Sequence, residues 1–377
     1  MAKDQHATRW IAAGGLVAAA LVVATSSTAA TGESLRANAP STAVYVVSAT
    51  PLPGTTGSWM LGYNGTEYQN QVFNEFYVHG GKATKYTAPK IGRYGSLDVI
   101  YAVSHSEVLL AGARQAEGIQ ELPAIYRFNG RSFAREALPA NLFAGDVAIE
   151  TLAASSPNNI WAGGALSPAN NDSDITLHFT GRAWVEETVD GDCSSVTTTG
   201  PANGFCIVYN ESYSVQEIEA WNGKAWTADL TVPRGEYLKG VAMASPTDAW
   251  AVGFLESSET DTETGGVVYH FNGKTWTQVK LPTDVPHSGG LSGIAMLGNQ
   301  AWALGVTGGF VGYVLHWTGS GWVLQHLPLS SQWDLISIDV AGGRGPLIAG
   351  WHFDRANDQY HSVLLSYEHG SWVVVPS

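Results

Sequence analysis

Nine side chains of this chain have the types that ligand recognition requires: Arg93, Tyr94, Arg234, Tyr237, His287, Trp333, Asp334, His352 and Arg355. Aromatic rings can stack on a sugar or a peptide, and Arg, Asp and His can hydrogen-bond it. All nine fall in or beside irregular segments. Two other sets draw attention by spacing. Cys193 and Cys206 are the only cysteines, 13 positions apart. They lack the four-ligand spacing of a structural zinc site and are expected to form a disulfide in an oxidising compartment. His178, His270 and His316 each precede a tryptophan by six residues. A shared repeat position puts them in separate structural units, too far apart to hold one metal at the ~2.0–2.1 Å that zinc demands. They are expected to be packing residues.

The remaining chemistry-bearing motifs are incomplete. Asn170-Asn171-Asp172-Ser173-Asp174 and the run from Glu256 to Glu263 (with Glu259 and Asp261) are acidic, but lack the glycine and terminal glutamate of a calcium loop. They read as solvated acidic loops. Ser245-Pro246-Thr247-Asp248-Ala249-Trp250 is similar to a fragment of the sialidase Asp-box, with the tryptophan too early and the glycine missing. There is no nucleophile elbow, phosphate-cradling Gly-Lys-Ser/Thr or HExxH. The sequence therefore assigns no catalytic residue, no metal site and no cofactor.

What must position the nine residues is a repeat. One signature, W-x-x-G, starts at Trp59, Leu109 (degenerate), Trp161, Cys206 (degenerate), Trp250, Trp302 and Leu347, at intervals of 50, 52, 45, 44, 52 and 45 residues. A second, Gly-x-x-aromatic, tracks it at Gly130…Phe133, Gly181…Trp184, Gly223…Trp226, Gly273…Trp276 and Gly319…Trp322. It is shortened at Gly370…Trp372 and worn near Gly80-Gly81.

The unit from Lys239 to Pro282 reads as four strands. Strand A begins at Lys239, Pro246-Thr247-Asp248 turns it, and strand B runs from Ala249 to Leu255. An acidic loop leads to strand C, Val267 to Phe271. Asn272-Gly273 is a tight-hairpin signal, and strand D runs from Lys274 to Leu281. Trp250 and Val252 share one face of strand B, with Ala249, Ala251 and Gly253 on the other. Seven such periods predict an all-β fold, a seven-bladed β-propeller with four antiparallel strands per blade. The blades are expected near 43–90, 95–139, 147–189, 190–233, 236–283, 288–329 and 332–377, the last complete in itself. Cys206 is expected to replace the strand-B tryptophan of blade four.

These motifs, W-A-x-G followed by aromatic-Asn/Thr-Gly-x-x-Trp and then Leu-Pro or Val-Pro, resemble those of secreted bacterial kelch-like propellers of the galactose-oxidase/kelch type over about 43–377. The chain departs from kelch units in keeping the glycine doublet only at Gly163-Gly164, and the tyrosine before the closing aromatic only at Tyr126 and Tyr269. The resemblance implies a binding scaffold more than an enzyme.

In a propeller the A–B and C–D turns share one face, and the B–C and D–A loops the other. The second set is long here: Ser167 to Asp174, Glu256 to Gly266, Pro282 to Gly290 and Asp354 to Tyr360. Function tends to sit on variable loops held by a rigid scaffold, so this face, around the central channel, is the expected binding face.

Composition narrows the classes. The 377 residues are 45% hydrophobic and 14% charged, with 43 Gly and 14 Trp, which suits short strands and turns rather than disorder. A net charge of −14 with no basic run argues against nucleic acid and anionic lipid as partners. Lys3 and Arg9, an apolar run from Trp10 to Val23 and small residues through Ala30 read as a signal peptide over 1–30, with a flexible lead-in over 31–42. The apolar run is short for a membrane span, which needs roughly 20 residues. The chain is accordingly expected to be secreted and monomeric, or held by an N-terminal anchor facing outside. The expected function is non-catalytic binding of a glycan, a cell-wall component or a protein partner. The alternatives are an extracellular carbohydrate-active hydrolase or lyase using loop-face acids, and a purely structural envelope protein.

Overall fold

The computed structural model describes residues 45–375 apart from 65–71, 80–81, 93–94, 105, 116–120, 144–146, 167–174, 211–214, 259, 261, 310, 330–332, 341–344, 355 and 357–358. The stretches expected to be a signal peptide and a lead-in, 1–30 and 31–42, lie outside them. The described residues form a β-propeller of four-stranded antiparallel sheets, spanning 45–87, 96–135, 147–186, 192–231, 236–278, 290–325 and 334–374. Strands are lettered A to D outward from the axis, in chain order within each sheet.

The sheets number seven among the described residues, and the packing agrees. There are seven separate hydrophobic clusters, each shared by two successive sheets: Leu61 with Leu110, Leu109 with Ile149, Trp161 with Cys193, Ile207 with Leu238, Val252 with Leu291, Leu304 with Ile348, and Ala349 with Val46. The last pair closes the ring, and strand A of blade one lies against strands A and B of blade seven.

Blade five shows how the repeat builds an interface. Strand B (Asp248–Glu256) alternates, so Trp250 and Val252 face blade six while Ala249 and Ala251 face blade four. Trp250 meets the rings of Trp317 and Trp322 at 4.8 and 5.1 Å. Trp161 repeats this on Trp221 and Trp226 at 4.9 and 5.0 Å. Removing a ring of this size from water is the dominant driving force, ~2–3 kcal/mol for a large apolar side chain. The three repeat histidines lie across strands B and C from the tryptophans, with ring centroids 4.0 Å apart in Trp161–His178, 4.2 Å in Trp250–His270 and 4.7 Å in Trp302–His316.

Three expectations about this scaffold need correction. The strand-B aromatic of blade four is Phe205, not Cys206. Phe205 is paired with Ala220, as Trp250 is with His270, and packs on Phe271 and Trp276 at 5.0 and 5.1 Å. Cys206 faces the other way, toward blade three. Its disulfide to Cys193 spans strands A and B with 5.9 Å between Cα atoms and packs beneath Trp161.

The C–D turn is a four-residue loop rather than a two-residue one. Phe271 pairs with Trp276, and Asn272 Oδ1 accepts from the Lys274 and Thr275 N–H groups at 3.1 Å each. Only Gly273 takes positive φ, at 89°. Asn129 and Asn222 do the same in blades two and four.

Strand C of blade five starts at Glu263, before Val267, because Glu256 pairs with Glu263 through a bulge and Gly265 takes φ 152°. The acidic loop shrinks to 257–262. Its Glu259 and Asp261, like Asn170–Asp174, lie outside the described residues.

Candidate functional site at the loop end of the central channel

The innermost strand of every blade carries a β-bulge at one place. The extra residues are Val47, Asp98, Glu150, Ser194, Lys239, Ser292 and Ile336. Each follows a residue buried to 1% exposure or less: Val46, Leu97, Ile149, Cys193, Leu238, Leu291 and Leu335. The bulge residues themselves are half-buried or exposed. A bulge turns one side chain out of the alternation, and here each lies near the start of the innermost strand, at the end where the D–A loops enter. Val47 and Ile336 pack on the hydrophobic clusters at the seams of blades one and two and of blades seven and one, which leaves five polar bulge residues at one level of the inner strands, with acids on blades two and three and a base on blade five.

The W-x-x-G glycine belongs to this device. A β-carbon on Gly112, Gly164 or Gly253 would collide with the carbonyl oxygen of Ser96, Ala148 or Tyr237, each two residues before a bulge residue. In Gly350 the same atom would lie 2.7 Å from Asp334 O. In blades two, three, five and seven the repeated glycine makes room for the backbone of the bulge, whereas Gly305 of blade six makes room for the Tyr313 ring.

The electrostatics of the ring are unbalanced. Burial raises the Asp98 carboxyl to about 7; Ser96 Oγ, donating to Oδ2 at 2.9 Å, partly opposes this, while Glu150 and Glu121 add to it. Burial also raises Glu150, against the pull of Lys239. Burial lowers the Lys239 ammonium while Glu263 and Glu150 push it back up. It also lies 5.6 Å from the Phe254 ring centroid, and Phe254 stacks on Tyr237 at 5.4 Å.

Deeper on the axis, Thr50 Oγ1 donates to Asp339 Oδ2 at 2.6 Å and the Val340 N–H donates to Oδ1 at 2.7 Å. Burial still raises Asp339 to about 6. Among the described residues, no group of three or more His, Cys, Asp or Glu is placed to hold a metal ion.

The nine residues singled out from the sequence are brought together only in part. Arg93, Tyr94 and Arg355 lie outside the described residues. Trp333 and His352 meet on blade seven, ring centroids 5.5 Å apart, and the neighbouring Asp334 is raised by burial. Tyr237 joins the Lys239–Phe254 group. Arg234 and His287 are exposed on D–A loops and join neither group.

Sequence reasoning missed Asp98, Glu150 and Lys239 as a set. Their signal is a charged residue in an apolar strand eleven positions before the strand-B signature at Leu109, Trp161 and Trp250. It also missed a cluster at the seam of blades seven and one: Tyr45, Tyr63, Trp351, Phe353 and Tyr360, all half-buried. A groove on the outer flank of blade five, lined by Gly266, Val268, Gln278, Lys280 and Leu281, lies away from the lumen and assembles no acid–base pair.

Fold and site together define a β-propeller with a charged lumen mouth. No protein-family model matches the chain, and no curated protein matches it. Solved structures do. A puromycin-hydrolyzing peptidase from Mycobacterium tuberculosis is similar over 88% of this chain at 12% identity and a TM-score of 0.58. A xyloglucanase from Xanthomonas campestris is similar over 86% at 13% identity and 0.54. The SapL1 lectin, solved with alpha methyl fucoside, is similar over 76% at 12% identity and 0.50. The chain covers 52% of the peptidase, 58% of the xyloglucanase and 97% of the lectin, so it spans about half the length of the first two. At these identities the likeness shows the propeller fold and nothing finer.

Proposed function

We propose that this chain is a secreted, non-catalytic propeller that binds a glycan on the face carrying its B–C and D–A loops. The observation that supports this most is the ring of bulge residues. Asp98, Glu150, Ser194, Lys239 and Ser292 sit at one level of five inner strands, Glu150 feels the charges of both Asp98 and Lys239, and all five can hydrogen-bond a hydroxyl-rich ligand. Propellers similar in fold include a lectin and a xyloglucanase, which supports a sugar partner. The Cys193–Cys206 disulfide suits the oxidising compartment of a secreted protein. Binding of the purified protein to a glycan and peptidoglycan array tests the reading; an absence of hits on every array would overturn it.

One observation favours a hydrolase as the second reading. A carboxyl raised to about 7, near Glu150 and Glu121, keeps a proton at neutral pH as a general acid must. Turnover assays on every array hit separate the two: product release abolished by Asp98→Asn would replace binding with catalysis.

A further inference from the structure

Blade seven reaches beyond its inner strand at the loop face. Its strands B (Leu347–Asp354) and C (Gln359–Glu368) stay paired through His352↔His361, Phe353↔Tyr360 and Asp354↔Gln359, whereas strand A pairs with B only as far as Trp351. Alternation gives this hairpin two faces. Trp351, Phe353 and Tyr360 look toward blade one, and His352 and His361 toward Trp333. On the first face Tyr45 lies 4.7 Å from Trp351, 4.8 Å from Tyr63 and edge-on to Tyr360 at 5.3 Å. Tyr360 closes the group on Trp351 and Phe353 at 5.4 and 4.8 Å.

We propose that this five-ring platform is a pyranose subsite for a neutral, equatorially substituted sugar, β-linked glucose or N-acetylglucosamine. The proposal rests on the reading of the loop face as a glycan-binding face and names the sugar that face would take. The ring at the same repeat position of blade five, Phe254, is 3% exposed. Here all five rings stay partly open.

Their chemistry selects the occupant. Equatorial hydroxyls leave both faces of a pyranose as C–H surface, which stacks on aromatic rings, while phenol hydroxyls at the edge can bond the sugar's rim. A net charge of −14 disfavours uronic and sialic acids. The platform is also unlike a protein interface, which takes ~800 Å² from each partner. Among the described residues, the exposed large hydrophobics are Val185, Val311 and Val323, none of them on the platform.

The test is calorimetric titration of the full chain with cellohexaose and chitohexaose, with polygalacturonate as the acidic control. Wild type should bind at least one hexasaccharide and not the polyuronate. Trp351→Ala and, as the milder change to the fold, Tyr360→Ala should each weaken binding at least about tenfold. Val185→Ser on the outer rim should match wild type, and thermal melts check that the variants fold. Undiminished binding by both platform variants would overturn the subsite while leaving the loop-face reading intact. Glycan hits on the arrays without binding of either hexasaccharide would overturn the sugar class. No hits at all would remove the underlying reading.

Discussion

Ser337 Oγ accepts a hydrogen bond from the Ala49 N–H at 3.2 Å, joining residues 288 positions apart. The same link recurs at three other seams around the axis. The hydroxyl just after the bulge accepts from the inner strand of the next blade: Ser48 from Ile100 N, Thr151 from Val196 N and Ser195 from Val241 N. Blades five and six carry Gly240 and Gly293 at this position, where a β-carbon would lie 3.3 Å from the next blade. Ring closure between blades seven and one therefore uses the rung that also joins blades one to two, three to four and four to five.

Ser337→Ala should remove the closing rung and leave the Ala49 N–H without its hydroxyl acceptor. The expected cost is ~1–2 kcal/mol, the penalty of a buried donor left unpaired. Urea unfolding should show a lower midpoint at unchanged slope. A midpoint equal to wild type would mean that apolar packing alone closes the ring.

The raised carboxyls set the pH dependence. Asp98 loses its proton near 3.8 in the unfolded chain and near 7 in the fold. Between these values the unfolded chain holds fewer protons, so stability falls as pH rises through this window and levels off above it. Asp339, raised to about 6, acts in the same direction. Asp98→Asn keeps an acceptor for Ser96 and removes the penalty. Its melting temperature should exceed that of wild type at pH 8, by a stabilisation on the order of 2 kcal/mol, and match it at pH 4. Equal stability at both pH values would show that Asp98 is ionised without penalty.

The repeated glycine offers a matched pair. Gly253→Ala drives a β-carbon into the Tyr237 carbonyl and should cost about 2–3 kcal/mol. Gly321→Ala meets nothing within 4 Å and should stay within ~0.5 kcal/mol of wild type. Denaturation midpoints of the two variants decide the matter. Similar midpoints would separate the glycine from the bulge.

The scaffold was legible because its cause is periodic. Trp250, Gly253, Asn272 and Trp276 each do one geometric job, and the same job in neighbouring blades needs the same residue type. Blade four misled because alternation, not the cysteine, sets the register, and Phe205 one position earlier takes the tryptophan's place. The site was less legible for the opposite reason. Asp98, Glu150 and Lys239 differ in type and lie on separate strands, so nothing local marks them as neighbours; only alignment on the repeat does. Trp351 and Tyr360 meet Tyr45 only because the ring closes, a contact across the whole length of the chain.

The central claim is that ligand binds at the lumen mouth, and a lumen variant tests it most directly. Asp98→Asn, Glu150→Gln and Lys239→Met combined remove the charges of the bulge ring and leave the loops and the blade-seven platform in place. Calorimetric titration of this variant with a glycan bound by wild type should show at least about a tenfold loss of affinity at a melting temperature no lower than that of wild type. Affinity equal to wild type would contradict the account and move the binding site away from the channel.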